Sequence, residues 1–306
     1  MHHSLLGNKQ KAICRRKWCI QNLERVGPMH QRTFASRRLR IVGLLIGILA
    51  ILSVWCSPKP GMQILSIASA ATVTHGPYTT QFLLTENPIS LSNQWISGGV
   101  IGGLTLWGDV RTNGTMALGA SEPTQYGDPT AILAGTWGPT QTATGVVKVN
   151  STPSSCCHEV EVRLRTSISA NRITGYEVLC PVHSSPGYGI QIVRWNGPNG
   201  QFVYINAGNA HQCVNGDVLK ATATGSNPTT IKVYINGTLI VTGVDHGTET
   251  GPGGAAGPWT TGSPGIGFYD NSDSNWSSFG LSSFTATDDS TAQLPVPPTN
   301  LTVTVQ

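Results

Sequence analysis

Charged and aromatic residues are scarce in this chain of 306 residues, at 11% and 7% of the sequence, and no stretch between residues 79 and 287 keeps a helical periodicity. A helical bundle would need far more Glu, Lys, Leu and Ala, so the composition excludes one. Glycine (36) and proline (19) are plentiful instead, and hydrophobic residues make up 39%. That hydrophobic share is enough for a folded core, which excludes a chain that is disordered throughout.

Several common catalytic signatures are also missing. The sequence contains no Gly-x-Ser-x-Gly, no P-loop, no dinucleotide-binding glycine fingerprint and no HExxH. The nucleophile elbow, the phosphate-binding loop and the zinc-protease helix that these motifs build are therefore not predicted.

Most of the chain lacks an excess of positive charge, although the net charge is +4. Residues 1–40 hold ten Lys and Arg against Glu24 alone, whereas the residues from 72 onward hold eight Lys and Arg against fourteen Asp and Glu. A basic leader is thus joined to a mildly acidic body. Such a body lacks the basic surface typical of nucleic-acid binding, so no nucleic-acid partner is predicted.

The N-terminal 71 residues have the pattern of an export segment. Residues 1–40 are predicted to be a basic cytoplasmic leader, and residues 41–71 a signal peptide or a signal-anchor helix. Residues 41–56 carry no charge and would hold the chain in the membrane if uncleaved, and the long stretch before Ala70 favours such an anchor. The run Ala68-Ser69-Ala70-Ala71 favours cleavage. Both alternatives predict an extracellular body, either secreted or anchored to the cell membrane.

Four cysteines lie in the exported part, and four cysteines permit three pairings. They are Cys156, Cys157, Cys180 and Cys213. Neighbouring cysteines rarely bond to each other, so links from Cys156 and Cys157 to Cys180 and Cys213 are predicted. A metal site is the alternative, but no CxxC spacing supports it, and an oxidising compartment favours disulfides.

Residues 78–289 are predicted to form an all-β sandwich, because short apolar or alternating runs are separated by turn residues. Asn236-Gly237 predicts a type I′ hairpin, since both central residues of that turn need positive φ. Residues 290–306 are predicted to be a Pro-rich linker and the first strand of a truncated module that resembles fibronectin type III. The predicted strands are Gln81–Leu84, Gly99–Leu106, Thr115–Ala120, Ala131–Thr136, Thr144–Val149, Glu159–Ser167, Gly175–Cys180, Tyr188–Trp195, Gln201–Ile205, Val218–Thr224, Thr230–Ile235, Leu239–Val244, Gly265–Tyr269 and Leu281–Ala286.

The order of motifs in the second half of the chain resembles the concanavalin A-like, laminin-G-like jelly-roll superfamily. The motifs are Gly175-Tyr176-Glu177, Asn215-Gly216-Asp217, Val233-Tyr234-Ile235-Asn236-Gly237 and Gly262-Ser263-Pro264-Gly265-Ile266-Gly267. The resemblance covers residues 81–287 and implies a jelly-roll β-sandwich. It leaves function open, because members include carbohydrate-binding modules, adhesion domains, glycoside hydrolases and polysaccharide lyases.

One predicted strand carries four alternating charges, Glu159, Glu161, Arg163 and Arg165. A strand has a period of two, so all four are expected on one face. A solvated face with cross-strand ion pairs is one interpretation, and a ligand-contacting face is another. In a third, Glu159 and Glu161 are a catalytic pair, although the E-x-D-x-x-E pattern of laminarinase-type hydrolases is incomplete here and the nearby arginines would keep both carboxylates ionised.

Other candidate ligand contacts are aromatic or basic. Trp137 and Trp259 lie among Gly and Pro residues and are predicted to be exposed, where their rings would stack on sugar rings. A polysaccharide-lyase interpretation would use Tyr176, Tyr188 and Arg194 with Arg163, but the alginate-lyase signature is absent.

Calcium is the cofactor that the resemblance implies. Asp270 and Asp273, in an oxygen-rich turn, are its predicted ligands, although the complete EF-hand loop is missing.

Together these patterns predict an exported, non-catalytic domain that binds a carbohydrate or a cell-surface ligand. A glycan-cleaving enzyme of the same superfamily is one alternative. A structural or adhesive cell-surface domain is the other.

Overall fold

The computed structural model describes residues 77–99, 101–104, 106–121, 127–153, 157–183, 187–198, 200–270 and 276–289. The predicted leader, signal or anchor segment and C-terminal linker lie outside these ranges, as do Cys156 and Asp273. None of the helices in the described ranges is long and apolar enough to cross a membrane.

The described residues form sixteen strands and one short 3-10 helix, Trp276–Ser278. In chain order the strands are β1 (Tyr78–Thr80), β2 (Thr85–Glu86), β3 (Trp95–Ser97), β4 (Asp109–Asn113), β5 (Ala117–Ala120), β6 (Thr130–Leu133), β7 (Gln141–Val149), β8 (His158–Ser169), β9 (Arg172–His183), β10 (Gln191–Gly197), β11 (Phe202–Asn206), β12 (Val218–Thr224), β13 (Thr229–Ile235), β14 (Thr238–Asp245), β15 (Ser263–Tyr269) and β16 (Phe279–Asp288).

Two antiparallel sheets pack face to face, which confirms the predicted all-β sandwich. Within the described part of the chain, one sheet has nine strands in the order β14-β13-β12-β7-β16-β5-β4-β2, with β1 paired to β16. The other has seven strands in the order β11-β10-β9-β8-β15-β6-β3. Strand β8 is therefore the middle strand of the seven-stranded sheet.

The alternating pattern of the strands builds the core between the sheets. From β8, Val160, Val162 and Leu164 are fully buried there, and from β12, Leu219 and Ala221 are. Burying one such Val or Leu side chain stabilises the fold by about 1.5–3 kcal/mol. Inward-facing aliphatic residues at every second position therefore hold the two sheets together.

A second apolar cluster covers the opposite face of the seven-stranded sheet, here called the outer face. Its buried members are Leu104, Trp107, Ile173, Leu179, Val193 and Trp195. Ile168, Phe202 and Tyr204 pack against them and are partly buried. The central strands of this sheet are consequently buried on both faces, which an alternating sequence by itself does not predict.

Most predicted strands lie within a few residues of an observed one, and Val218–Thr224 matches β12 at both ends. The predicted hairpin is confirmed, because Asn236 (φ 51°) and Gly237 (φ 82°) both have positive φ between β13 and β14. The strand predicted at Gly99–Leu106 is wrong for the residues described there, which form turns. Gly102 packs closely against Gly98: a Cβ atom on Gly102 would lie only 3.0 Å from the Cα atom of Gly98. In this segment such close backbone contact takes the place of strand pairing. The strand predicted at Gln81–Leu84 is also wrong, since Phe82 has a φ of 52°.

One disulfide joins Cys180 on β9 to Cys213, with 5.8 Å between their Cα atoms. Cys157 is disulfide-bonded as well. The predicted links from Cys156 and Cys157 to Cys180 and Cys213 are therefore wrong. The backbone amide of Cys213 donates to the Pro181 carbonyl at 2.8 Å, which brings the Cys213 segment beside β9 and sets the observed pairing.

Candidate functional site

The centre of the seven-stranded sheet carries charged side chains on its outer face. Glu159, Glu161 and Arg163 project from β8 at alternate positions, and each is at most 4% exposed. Gly265 and Gly267 on β15 pair with Arg163 and Glu161. Because glycine has no side chain, these two positions leave room on the face for the larger charged groups of β8.

Arg163 lies among three carboxylates, and these four residues are called the acidic cluster below. The Nη2 atom of Arg163 is 2.6 Å from Asp128 Oδ1 and 2.5 Å from Glu161 Oε2. Its Nη1 atom is 3.1 Å from Glu177 Oε2, which also accepts a hydrogen bond from the indole of Trp195 at 2.5 Å. The interpretation of a solvated face with cross-strand ion pairs is wrong about the solvent, because the apolar cluster around Trp195 covers this face. It is right about the ion pairs, since Arg163 on β8 pairs with Glu177 on β9.

The acidic cluster has more negative than positive charge in a buried place. Burial raises the pKa of Glu161 and of Asp128 well above the ordinary carboxyl value, although attraction to Arg163 lowers both in part. Burial alone would lower the pKa of Arg163, but the three carboxylates raise it, so the guanidinium stays charged. Glu161 Oε1 is buried and has no hydrogen-bond partner in the part of the chain that the structure describes. Folding therefore favours uptake of a proton or of a cation here.

The carboxylates of this cluster are close enough to hold a metal ion. Ligand oxygens of Asp128, Glu161 and Glu177 lie within 4.8 Å of one another. Sequence reasoning missed this set because the three residues come from different parts of the chain. The predicted calcium ligand Asp270 lies elsewhere: it is 5% exposed, and its Oδ1 is 3.1 Å from Nε2 of His158.

The candidate catalytic pair is buried in this structure. Glu159 accepts a hydrogen bond from the hydroxyl of Tyr188, and Glu161 is held by Arg163. Neither carboxylate meets solvent to an appreciable extent, at 4% and 0% exposure. A catalytic role for the pair remains a prediction.

Arg165 departs from the row of charges, so the prediction that four charges share one face is wrong. The register of β8 shifts between Leu164 and Ser167, and Arg165 has a φ of 49°. Its buried guanidinium donates to the carbonyls of Gly225 at 2.8 Å and Trp259 at 2.9 Å. A β-bulge turns the side chain away from the face that alternation predicts. In this position Arg165 ties loops together.

Tyr176 and Arg194 belong to a buried network on the core side of the seven-stranded sheet. The Tyr176 hydroxyl donates to Asp245 Oδ2 at 2.6 Å and accepts from the backbone amide of Trp259 at 2.8 Å. Arg194 pairs with Asp245 and, at 2.8 Å, with Glu249. Burial alone would raise the pKa of Glu249, but hydrogen bonds from the His246 backbone amide and from Arg194, together with one shared with Asp245, lower it to about 2. The network fastens the loop between β14 and β15, and both predicted ligand contacts are engaged within the protein.

The two tryptophans predicted to be exposed are packed against the protein. Trp137 is 7% exposed and its indole donates to the Ala134 carbonyl at 3.2 Å, so its predicted exposure is wrong. Trp259 is half-buried, and its indole donates to the Trp195 carbonyl at 2.9 Å. Their ligand-binding roles remain predictions.

A row of aromatic rings crosses the outer face towards the edge of the sheet. The centroids of Trp107 and Trp195 are 5.0 Å apart, those of Trp195 and Phe202 5.0 Å, and those of Phe202 and Tyr204 5.4 Å. Trp107 and Trp195 are buried, whereas Phe202 and Tyr204 on edge strand β11 are half-buried. The sequence does place Phe202 and Tyr204 on one face of a predicted strand, but nothing in it indicates that this face continues the Trp195 row.

No protein-family model matches the chain, and no curated protein matches it either. Among solved structures, the chain is similar to a carbohydrate-binding module, CBM66, from Bacillus subtilis, with 13% identity, a TM-score of 0.40, and coverage of 65% of this chain and 96% of that one. It is similar to a legume lectin-like domain from Entamoeba histolytica, with 10% identity, a TM-score of 0.40 and coverage of 67% and 97%. It is also similar to the exoplasmic or lumenal domain of VIP36 in a form bound to Ca²⁺ and Man3GlcNAc, with 10% identity, a TM-score of 0.41 and coverage of 71% and 93%.

These structures are carbohydrate-binding and lectin-like domains of the concanavalin A-like superfamily, which the sequence motifs also resemble. At such identities and TM-scores they carry no argument about function. The function proposed for this chain therefore depends on its own residues.

Proposed function

We propose that this chain is a carbohydrate-recognition domain that binds sugar rings at Phe202 and Tyr204, on the outer face of the seven-stranded sheet. The observation that carries the proposal is the aromatic row, which begins in the buried Trp107–Trp195 pair and ends in two half-buried rings at the sheet edge. Aromatic faces suit the apolar faces of pyranose rings, and a few polar groups then fix orientation.

The row is held rigid from beneath, which favours binding. Trp195 donates to Glu177 and packs against Trp107, and Arg163 lies 6.0 Å from the centre of a Trp195 ring. Phe202 in turn packs on Trp195. Rings that are already ordered lose little conformational entropy when a ligand stacks on them. On this proposal, the acidic cluster contributes to recognition by positioning the aromatic row.

Export of the domain is part of the proposal. The disulfide between Cys180 and Cys213 supports an oxidising compartment, and the uncharged residues 41–56 support passage into or through a membrane. We propose that the domain acts outside the cytoplasm, either released or held at the membrane by residues 41–56. We also propose that it binds without cleaving, because the Glu161 carboxylate is engaged by Arg163.

Calcium is the ion that we propose for the acidic cluster. Calcium is a hard cation that prefers carboxylate and carbonyl oxygens. The carboxylates of Asp128, Glu161 and Glu177 outnumber the one guanidinium beside them, so a bound ion would offset the remaining negative charge. It would share these carboxylates with Arg163.

A glycan array probed with the full-length chain in mild detergent tests the proposal. We expect saturable binding to a set of glycans, and we expect Tyr204→Ala to weaken it by about tenfold or more, since one stacked ring contributes on the order of 1–2 kcal/mol. Tyr234→Ala is the matched control, because Tyr234 is also half-buried but lies on β13 of the other sheet.

Absence of binding to every glycan would overturn the proposal and favour a structural or adhesive domain. An equal loss of glycan binding in Tyr204→Ala and Tyr234→Ala would overturn the assignment of the sugar site to the aromatic row. A reducing-end assay on the bound glycans tests the non-catalytic part, and release of new reducing ends would contradict it.

A further inference from the structure

A cleft at the β2–β4–β5 end of the nine-stranded sheet has features of a second binding site. Its volume is about 330 Å³, at the lower end of the range for small-molecule sites. The cleft has a mixed lining of one cation, one carboxylate, amides, hydroxyls and one aliphatic side chain: Thr85, Glu86, Asn87, Arg111, Thr112, Asn113, Leu118 and Ser277. It lies on a different sheet from the aromatic row.

Arg111 is the cation of this cleft, and one of its hydrogen-bond donors has no partner among the described residues. It projects from β4 between Val110 and Thr112, which are buried on the opposite face. Its Nε atom is buried and has no hydrogen-bond partner among the described residues. No described carboxylate forms an ion pair with it, in contrast to Arg163 and Arg194. A buried donor without a partner is costly, and a ligand that accepts its hydrogen bond would remove that cost.

We propose that this cleft binds the carboxylate of an acidic sugar, such as a uronate. The planar guanidinium of Arg111 matches a carboxylate in charge and geometry. The neighbouring hydroxyl of Thr85 and amide of Asn87, both on exposed residues, suit sugar hydroxyls. A sugar acid uses both the charged and the polar lining groups, whereas a bare inorganic anion uses only the charged one.

The two polar residues beside Arg111 are fixed by local hydrogen bonds. Asn113 Oδ1 accepts from the backbone amides of Thr115 and Met116, each at 3.1 Å, which leaves its amide nitrogen as a donor. Glu86 Oε2 accepts from the backbone amides of Ser90 at 2.8 Å and Leu91 at 2.7 Å. These bonds hold the Glu86 carboxylate in place, but its charge still opposes an anion. Glu86→Gln is therefore expected to strengthen binding of an acidic sugar.

Isothermal titration of the full-length chain with glucuronic acid, glucose and sulfate tests the inference. We expect glucuronic acid to bind with a Kd about tenfold or more below that of glucose, and Arg111→Gln to remove this difference. Arg111→Lys keeps the positive charge but loses the paired donors of the planar guanidinium, so it should have an intermediate effect. Arg172→Gln, an exposed arginine on β9, is the matched control and should leave binding unchanged.

Equal binding of glucose and glucuronic acid would overturn the inference, as would glucuronic acid binding that survives Arg111→Gln. Sulfate binding as tight as that of glucuronic acid would indicate an adventitious ion only. The inference stands apart from the aromatic-row proposal, because Tyr204→Ala should leave glucuronic acid binding intact. Loss of it in that variant would assign the acidic sugar to the aromatic row and overturn the cleft. Thermal melts of each variant exclude misfolding as the cause.

Discussion

Gly267 on β15 lies directly opposite Glu161 on β8, in the middle of the seven-stranded sheet. A Cβ atom on Gly267 would overlap Glu161 Oε2 and lie 2.8 Å from Nε of Arg163. The acidic cluster therefore depends on the missing side chain of its neighbour. The sheet can bury these large charged groups only where the paired strand contributes no side chain of its own.

Gly267→Ala should destabilise the fold by about 1–3 kcal/mol, because overpacking forces the charged groups from their contacts. Gly197→Ala is the matched control on β10, since a Cβ there meets only ordinary contacts at 3.5 and 3.9 Å from Gln201. Urea denaturation followed by circular dichroism measures both. Equal stability of the two variants would contradict the packing argument.

Stability should decline as the pH rises above the ordinary carboxyl range, because the raised pKa values of Glu161 and Asp128 make the folded state hold protons that the unfolded state has released. The slope per proton is at most about 1.4 kcal/mol per pH unit. Glu249, with its pKa lowered to about 2, changes its contribution only at lower pH. Thermal melts should show a shallower decline for Glu161→Gln than for the unchanged chain.

Asp289→Asn, which removes an exposed carboxylate, is the control for that measurement and should keep the full slope. A Glu161→Gln slope equal to that of the unchanged chain would show that Glu161 holds no extra proton in the folded state.

Calcium should raise the melting temperature by about 2 °C or more near pH 8, where the cluster carboxylates are most ionised, and by less near pH 5. The comparison is between calcium and a chelator in otherwise equal buffers. Glu177→Gln removes one of the three ligands and should abolish the rise. A rise that persists in this variant would assign the ion to another place.

Tyr176→Phe should destabilise the chain by about 1–3 kcal/mol, because the buried Asp245 carboxylate loses its hydroxyl donor and the Trp259 amide loses its acceptor. Tyr234→Phe removes a hydroxyl from a half-buried ring on the other sheet and is the control. Chemical denaturation gives both free energies of unfolding. Limited proteolysis adds a second readout, since cleavage within residues 246–262 should increase only in Tyr176→Phe.

Replacing both Cys180 and Cys213 with alanine should lower the free energy of unfolding by about 3–4 kcal/mol. Their disulfide closes a loop of 33 residues, and without it the unfolded chain gains conformational entropy. Differential scanning calorimetry of the double variant measures the loss. An unchanged melting temperature would show that this disulfide does not lower the conformational entropy of the unfolded chain.

The sequence predicted elements whose signal is local. The limits of β12 follow from the alternation of apolar residues between turn signals, and the hairpin after β13 follows from Asn236-Gly237, because the need for positive φ is a property of the two residues themselves. Alternation likewise predicted that Glu159, Glu161 and Arg163 share a face. The same prediction was wrong for Arg165, because a β-bulge places its side chain on the opposite face. No local sequence pattern indicates that bulge.

The sequence by itself thus determined the alternation of apolar and polar residues within each strand, the all-β class and the hairpin. Each of these depends only on residues that are neighbours along the chain. Only the tertiary structure decided what covers each face, which cysteines meet and which side chains gather. A period of two tells which residues share a face, but whether that face meets water or a layer of Trp107, Leu179 and Trp195 depends on distant segments. The acidic cluster, the aromatic row and the Arg111 cleft all arise from such long-range packing.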